Sequence, residues 1–185
     1  MAIEVLEPGL ATSVQDRGRP GYYNVGVPPS GALDLYAAAA ANALVGNDSS
    51  AAVLESAYMG PKLRFQDAAV VAVTGAQVPV LLNGQEAPRW ESFDVKAGDE
   101  LSFGILQAGA RIYVGVSGGI DVPLVLGSRS LYALGAFGGF GGRPLQAGDV
   151  LPVGSGHGRP GVRMPATLVP DYPKELSVRV VLGSA

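Results

Sequence analysis

The sequence predicts a mainly β protein, an antiparallel β-barrel with one principal helix rich in alanine. Short apolar segments alternate with polar residues in the manner of β-strands along most of the 185 residues. Glycine and proline, at 27 and 14 residues, separate these segments as turns do in barrels and sandwiches. One stretch alone, with a run of alanines that begins at Ala37, has the composition of a helix.

The predicted strands follow one another from the first residues of the chain to the last. The Pro8-Gly9 pair is typical of a turn between the first two strands. The Asn83-Gly84 pair is the clearest hairpin signal, because both residues accept the positive φ that a tight hairpin turn requires. The predicted strands are residues 3–6, 12–14, 53–58, 62–65, 70–74, 78–82, 92–96, 100–104, 111–116, 149–153 and 178–182.

The principal helix is predicted to follow an extended segment and to end near residue 46. Ser30 or Gly31 is expected to cap it, and Asp34 is expected in its first turn, where the helix dipole favours a carboxylate. Gly46 with Asn47 is typical of a helix C-terminus. The apolar stripe at helical spacing, whose alanines would let other backbone approach closely, consists of Leu33, Ala37, Ala40 and Leu44.

A polar loop, residues 15–21, precedes this helix. Its sequence, QDRGRPG, places opposite charges among glycines and a proline, which favours turns and excludes a continuous helix. Ionisable residues therefore lie near glycines, where a ligand can approach the backbone, namely Asp16, Arg17, Arg19 and Asp34. Sites for anions and small polar molecules have this composition. The alternative is that each residue has only a turn or capping role.

Motifs along nearly the whole chain together resemble those of one known family. The first are Gln15-Asp16-x-Gly18-Arg19, Gly26-Val27-Pro28-x-Ser30-Gly31-Ala32-x-Asp34 and Ala41-Asn42-x-Leu44-Val45-Gly46-Asn47. The others are Leu54-Glu55 with Gly60-Pro61, Val73-Thr74-Gly75-Ala76, Ala97-Gly98-Asp99, Ser117-Gly118-Gly119-Ile120, Leu126-Gly127-Ser128-Arg129-Ser130, and Gly142-Arg143-Pro144-Leu145 with Gly148-Asp149. In this order they resemble the allophanate hydrolase subunit 2 family, which is also called the biotin-dependent carboxyltransferase or KipA family and includes the C subunit of 5-oxoprolinase.

The resemblance implies a cyclophilin-like barrel and a role as one subunit of a multi-subunit hydrolase that acts on an amide or urea C–N bond. The 5-oxoprolinase type opens 5-oxoproline to glutamate with ATP, and the allophanate hydrolase or urea carboxylase type acts on urea-like substrates. Activity is then expected only in a hetero-oligomer with a subunit 1 partner, which resembles KipI or the B subunit of 5-oxoprolinase. ATP is a candidate cofactor of that complex. No covalently bound cofactor is expected here, and any carboxybiotin would be carried by another chain.

A second hypothesis comes from the KipA branch, which is named for antagonising a kinase inhibitor. In that case the chain would be a regulatory module that binds such an inhibitor. Its low charge and many apolar strands are compatible with a surface that faces a partner.

The candidate site residues are carboxylates, arginines, amides and hydroxyls within these motifs. A carboxylate can act as a base, an arginine can hold an anion, and amides and hydroxyls donate hydrogen bonds. The expected catalytic residues are Asp16, Arg19, Asp34 and Arg129, with Asp149 as a further carboxylate. The expected substrate-binding residues are Gln15, Ser30, Asn42, Glu55 and Ser130, and no metal site is expected. The alternative for Asn42, within an apolar helix, is a bridge to the polar loop.

Composition and context argue against several other functions. A chain with no cysteine and with His157 as its one histidine has no thiolate chemistry and offers no zinc site. A net charge of −3 provides no basic surface for nucleic acid. The longest uncharged stretch, residues 68–85, contains Pro79 and a hairpin signal, so no membrane segment is expected. The first residues lack the pattern of a secretory signal, which leaves the cytoplasm as the expected location.

Two short patterns resemble enzyme motifs but lack their structural context. Residues 115–119 fit the G-x-S-x-G pattern of a nucleophile elbow, yet Pro123 follows too closely for the required helix. Residues 156–161 fit G-x-G-x-x-G, yet Pro160 excludes the helix of a dinucleotide site.

Domain boundaries are predicted from glycine and proline content. Residues 1–154 form the barrel domain, which carries the QDxGR and GVPxSGAxD motifs. Residues 155–176 form a Gly/Pro-rich linker, and residues 177–185 begin a second half that is missing or shortened, since the resembled family continues further. Within the first domain, residues 135–142 (GAFGGFGG) are predicted to form a mobile loop.

Overall fold

The computed structural model describes residues 1–173, 175 and 177–183, and it confirms a mainly β fold with one principal helix. The helix is α1 (Leu35–Leu44). The strands are β1 (Ala2–Glu7), β2 (Ser13–Gln15), β3 (Val53–Ala57), β4 (Lys62–Phe65), β5 (Ala69–Gln77), β6 (Val80–Leu82), β7 (Gln85–Ala87), β8 (Ser92–Val95), β9 (Glu100–Phe103), β10 (Ala108–Val116) and β11 (Val150–Pro152). Short 3₁₀ helices occupy Tyr23–Val25 and Ala166–Leu168.

The strands form two antiparallel sheets. The first has six strands in the order β11-β1-β4-β9-β6-β7, and the second has five in the order β2-β3-β10-β5-β8. Within the described residues no strand of one sheet pairs with a strand of the other, so the expected barrel is not closed. Several edge strands are only three residues long, which leaves few backbone groups to continue the pairing. The alternation of apolar residues is the same in a barrel and in facing sheets, so the sequence could not distinguish them.

The main hydrophobic core lies between the two sheets. Val5 and Leu63 from the six-stranded sheet and Val73 and Val114 from the five-stranded sheet belong to one cluster, and each is at most 1% exposed. Burying each side chain contributes about 1.5–3 kcal/mol. This core fixes which face of every strand points outward, and it therefore positions the polar residues on the other face of the five-stranded sheet.

Helix α1 packs on that other face, against β10, β5 and β3. Ala37 and Ala41 are fully buried there, and the Thr74 hydroxyl donates to the Ala37 carbonyl over 2.7 Å. A methyl group on Gly115 would lie 2.9 Å from the Ala41 carbonyl oxygen. The expectation that alanine permits close approach of backbone is confirmed, because the helix and strand would otherwise have to separate.

The start of α1 differs from the prediction, while its end agrees. Asp34 itself is the N-cap, since its carboxylate accepts from the Ala37 N–H over 2.9 Å. Ser30 and Gly31 adopt positive φ in the preceding turn, and Leu33 precedes the helix and is 69% exposed. At the other end Gly46 adopts a φ of 72° just beyond the helix, as a C-terminal glycine does.

The described residues after 154 include one short 3₁₀ helix and no strand, and they pack against the rest of the protein. The Gly161 N–H donates to the Ser92 carbonyl over 2.7 Å, and the Met164 N–H donates to the Trp90 carbonyl over 2.9 Å. The predicted strand at 178–182 is wrong, because these residues form no β-pairing and Val181 is 96% exposed. A strand needs a hydrogen-bonding neighbour, which an apolar alternation does not provide.

The predicted hairpin is confirmed. Asn83 and Gly84 adopt φ values of 53° and 78° between the paired strands β6 and β7.

Among the described residues, no helix has both the length and the hydropathy needed to cross a membrane.

Candidate functional site

The carboxylate of Asp16 is the centre of a buried polar network. It accepts hydrogen bonds from the Gly18 N–H (2.7 Å), the Ser128 hydroxyl (2.6 Å), the Arg129 N–H (2.6 Å) and the Ser130 hydroxyl (2.5 Å). Asp16 is only 9% exposed. With four donors on two oxygens, the carboxylate holds the polar loop against residues 128–130 and has little capacity left to act as a base.

Arg19 lies beneath this network with 1% of its surface exposed. Its guanidinium donates to the carbonyls of Ser130 and Val125 and lies 5.1 Å from the centre of the Phe137 ring. Burial lowers the pKa of Arg19, and the nearby charge of Asp16 partly offsets that effect. The structure therefore places Arg19 out of reach of a ligand, as the buried counter-charge of Asp16.

The glycine-rich segment 135–142 covers Arg19. Gly138 and Gly139 are buried, and a methyl group on Gly138 would collide with the Ser130 carbonyl oxygen and approach the Arg19 guanidinium to 2.7 Å. The prediction of a mobile loop is at odds with this packing. Glycine here permits close contact between backbone segments instead of free movement.

Arg129 lies at the edge of the same network. Its side chain donates to the Val122 carbonyl and to the Asp121 carboxylate, each over 2.8 Å, and is 30% exposed. Its backbone supports Asp16, while its guanidinium is at the surface. Arg129 therefore remains a candidate for ligand contact, although one side of its guanidinium is already paired.

Asp34 and Glu55 meet in a second network, at the start of α1. The Glu55 carboxylate accepts from the Leu33 N–H (2.8 Å) and from the Tyr113 hydroxyl (2.7 Å). The Tyr113 hydroxyl in turn accepts from the Asp34 N–H over 2.7 Å. Burial, together with the two carboxylates, raises the pKa of Tyr113 far above its usual value. This phenol therefore stays protonated and holds the turn before the helix.

Tyr172 links the C-terminal segment to this second network. Its hydroxyl donates to the Asp34 carboxylate over 2.8 Å, and burial followed by the contact with Asp34 raises the pKa of Tyr172. Both oxygens of Asp34 therefore have partners, one at the helix N-terminus and one at Tyr172.

The remaining predicted residues are spread over separate surroundings. The side-chain amide of Gln15 donates to the Ser13 hydroxyl over 3.0 Å. The side-chain oxygen of Gln15 is buried without a partner among the described residues. Asn42 donates to the Ala51 carbonyl over 2.8 Å, so it bridges to the loop after α1 and not to the polar loop. Ser30 lies half-buried in the turn before α1.

Asp149 is bound by two hydrogen bonds of 2.8 Å from the Arg143 guanidinium. Ser117, in the pattern that resembles a nucleophile elbow, accepts from the Gly158 N–H over 2.8 Å and is buried. Asp149 and Ser117 thus support loops.

Within the described part of the chain, no group of three or more His, Asp or Glu residues could hold a metal ion.

Arg17 is one of the ionisable residues that the sequence places in the polar loop, but it is not among the expected catalytic or substrate-binding residues. It is exposed, lies between two cavities of about 120 and 260 Å³, and has no ion pair with any described carboxylate. The cavity of about 260 Å³, which we call the Arg17 cleft, is lined by Asp16, Arg17, Gly18, Ser50, Leu124, Gly127 and Arg129. In the motif Gln15-Asp16-x-Gly18-Arg19 this residue stands at the unspecified position, so the motif does not include the arginine of the polar loop that faces solvent.

The sequence and the fold agree with one set of known proteins. The family model described as the carboxyltransferase domain, subdomain A and B, matches residues 25–185. Urea amidolyase of Saccharomyces cerevisiae is 43% identical over 98% of this chain, and the C subunit of Escherichia coli 5-oxoprolinase is 39% identical over 82%. The crystal structure of Kluyveromyces lactis urea carboxylase superposes on 94% of this chain with 44% identity and a TM-score of 0.86.

The chain covers a different fraction of the length of each relative, and in every case less than two thirds of it. The chain spans 10% of the yeast urea amidolyase, 16% of the urea carboxylase structure and 49% of the bacterial 5-oxoprolinase polypeptide. The similarity is nevertheless high over almost all of the 185 residues, and the family model matches most of them. The chain therefore belongs to the family of the carboxyltransferase domain, subdomain A and B.

Proposed function

We propose that this chain is part of an ATP-dependent enzyme that acts at the C–N bond of an amide or urea-like substrate, of the 5-oxoprolinase or urea carboxylase type. The observation that carries the proposal is the 43% identity to urea amidolyase over 98% of the chain. A match of that extent includes both loops of the Asp16 network. That network is the rigid frame on which the Arg17 cleft is built.

The geometry favours a role in binding and orientation. An amide carbonyl resists attack in hydrolysis, and a urea nitrogen is a weak nucleophile in carboxylation, so in both reactions an enzyme must polarise the substrate and hold it in place. The Asp16 carboxylate accepts four hydrogen bonds and each oxygen of Asp34 accepts one, whereas Arg17 forms no ion pair with any described carboxylate. This chain would thus hold the substrate, and the other reacting groups would come from the partner protein and from ATP or carboxybiotin.

The test uses two chimeric enzymes. In the first, this chain replaces the matching half of the C subunit of Escherichia coli 5-oxoprolinase, which is assembled with the other subunits of that enzyme. Glutamate release from 5-oxoproline with ATP is then measured. In the second, the chain replaces the matching segment of yeast urea amidolyase, and turnover of urea with ATP and bicarbonate is measured. The parent enzymes, carried through the same purification, are the controls.

We expect turnover in at least one chimera, and the active one identifies the substrate type. Chimeras that assemble to the parental size by size-exclusion chromatography, yet turn over neither substrate, would contradict the proposal. That result would favour the regulatory alternative, which predicts binding to a kinase inhibitor without turnover.

A further inference from the structure

Arg17 carries an exposed guanidinium on a backbone segment that is held by hydrogen bonds. Asp16 is anchored by its N–H and its carboxylate, and the Arg19 N–H donates to the Pro29 carbonyl over 2.7 Å. A methyl group on Gly18 would lie 2.6 Å from the same Pro29 oxygen. The backbone on both sides of Arg17 is therefore held in place, while the guanidinium has no partner among the described residues. A fixed backbone reduces the entropy cost of binding a ligand.

The other charges around the cleft already have partners. Asp16 is saturated by its four donors, and Arg129 is paired with Asp121. Hydrogen bonds from Ser50 are the main cause of the lowered pKa of Asp48, and the charge of Arg17 contributes less. Since no described carboxylate forms an ion pair with Arg17, an anion entering the cleft would meet an available guanidinium.

The size of the cleft restricts the ligand. Its volume of about 260 Å³ lies just below the range of about 300–1,000 Å³ that is typical of sites for drug-sized molecules. The polar lining around Ser50 and Gly127 suits a small hydrophilic compound, whereas a nucleoside triphosphate would extend well outside.

We propose that Arg17 binds the carboxylate of a small molecule in which that carboxylate adjoins a C–N group, and that this contact determines substrate specificity. A guanidinium forms two parallel hydrogen bonds with a carboxylate, which fixes the orientation of the molecule as well as its position. 5-Oxoproline carries such a carboxylate next to its lactam, and carboxylated urea carries one on nitrogen. The choice of these compounds rests on the proposed function, while the existence of the site rests on Arg17 and the cleft.

The first test measures binding to the 185-residue chain by NMR titration. The probes are 5-oxoproline and allophanate, each paired with its carboxylate-free counterpart, 2-pyrrolidone or urea. The variants are Arg17→Gln, Arg17→Lys and the control Arg159→Gln, whose side chain is exposed in the C-terminal segment and does not line the cleft.

We expect either 5-oxoproline or allophanate to bind about 10- to 100-fold more tightly than its carboxylate-free counterpart. This factor corresponds to the usual contribution of hydrogen bonds that involve charged groups. Arg17→Gln should abolish that preference, Arg17→Lys should retain part of it, and Arg159→Gln should leave it unchanged. Equal binding of both members of each pair, unchanged binding by Arg17→Gln, or no saturable binding of either carboxylate would overturn the proposal.

The second test separates this proposal from the proposed function. In an active 5-oxoprolinase chimera, Arg17→Gln should raise KM for 5-oxoproline by a similar factor and change kcat much less. In an active urea amidolyase chimera, whose substrate urea carries no carboxylate, Arg17→Gln should weaken inhibition by added allophanate by a similar factor and leave KM for urea unchanged. An unchanged KM for 5-oxoproline in the first chimera, or unchanged inhibition by allophanate in the second, would contradict the role of Arg17 alone. Carboxylate binding that depends on Arg17 in a chain whose chimeras are both inactive would contradict the proposed enzyme alone.

Discussion

Asp16 and Ser130 exchange two hydrogen bonds although 114 residues separate them. The Asp16 N–H donates to the Ser130 hydroxyl oxygen over 2.8 Å, and the same hydroxyl donates to the Asp16 carboxylate over 2.5 Å. Both residues are buried. This reciprocal pair joins the polar loop to the loop before the glycine-rich segment. Residues of both loops line the Arg17 cleft.

Replacing Asp16 with Asn should destabilise the protein by about 2–3 kcal/mol, because hydrogen bonds to a charged group are lost and one N–H is left unsatisfied. The amide nitrogen of Asn would face either the Arg129 N–H or the serine donors. Urea denaturation measures the loss. Asp94→Asn, at an exposed position, is the control and should change stability little. Equal denaturation midpoints for both variants would contradict the structural role of Asp16.

Gly18→Ala and Gly21→Ala form a matched pair at positive φ. Gly18 (84°) faces the Pro29 and Ser30 carbonyl oxygens at 2.6 and 2.7 Å from an added methyl group, whereas Gly21 (98°) has open space. Gly21→Ala should lose about 1–2 kcal/mol through backbone strain alone. Gly18→Ala should lose about 1–3 kcal/mol more through overpacking. Thermal denaturation compares the two, and an equal loss would show that the contact between the two loops is loose.

Tyr113→Phe should cost about 1–3 kcal/mol, because the Asp34 N–H loses its acceptor and Glu55 loses a donor in a buried site. Amide hydrogen exchange at Leu33 and Asp34 should become faster than in the parent protein. Tyr23→Phe, at a position 73% exposed, is the control. Unchanged exchange at the start of α1 would mean that the Tyr113 hydroxyl does not hold this turn.

Asp149→Asn should reduce stability more at neutral pH than in acid. Arg143 lowers the pKa of Asp149 below the usual value for an aspartate, with the Gln146 N–H as a weaker cause in the same direction. A carboxyl with a lowered folded pKa stabilises the protein above its unfolded pKa of about 4, and this contribution disappears as the pH falls through the folded pKa. Urea denaturation at pH 7 and near pH 2 should show a difference from the parent that is largest at pH 7 and smaller near pH 2. A difference that persisted unchanged near pH 2 would exclude the ion pair as its cause.

Local features of the fold could be read from the sequence because neighbouring residues decide them. The hairpin at Asn83 and Gly84 depends on two residues that accept positive φ, and the end of α1 depends on Gly46. The start of α1 was placed too early, since Ser30, Gly31 and Asp34 are all acceptable caps. Only the hydrogen bond from the Ala37 N–H distinguishes Asp34 from the others.

The sequence by itself determined the β strands between turns, the alanine-rich helix and the family motifs, all of which depend on composition and spacing along the chain. Tertiary structure alone decided which charges are available. Asp16 and Arg19 look like site residues in the sequence, but contacts with residues 125–138 bury them. Arg17, between them, stays in solvent. Burial and hydrogen bonding determine whether a charge supports the fold or can bind a ligand, and for Asp16 and Arg19 both depend mainly on residues more than a hundred positions away.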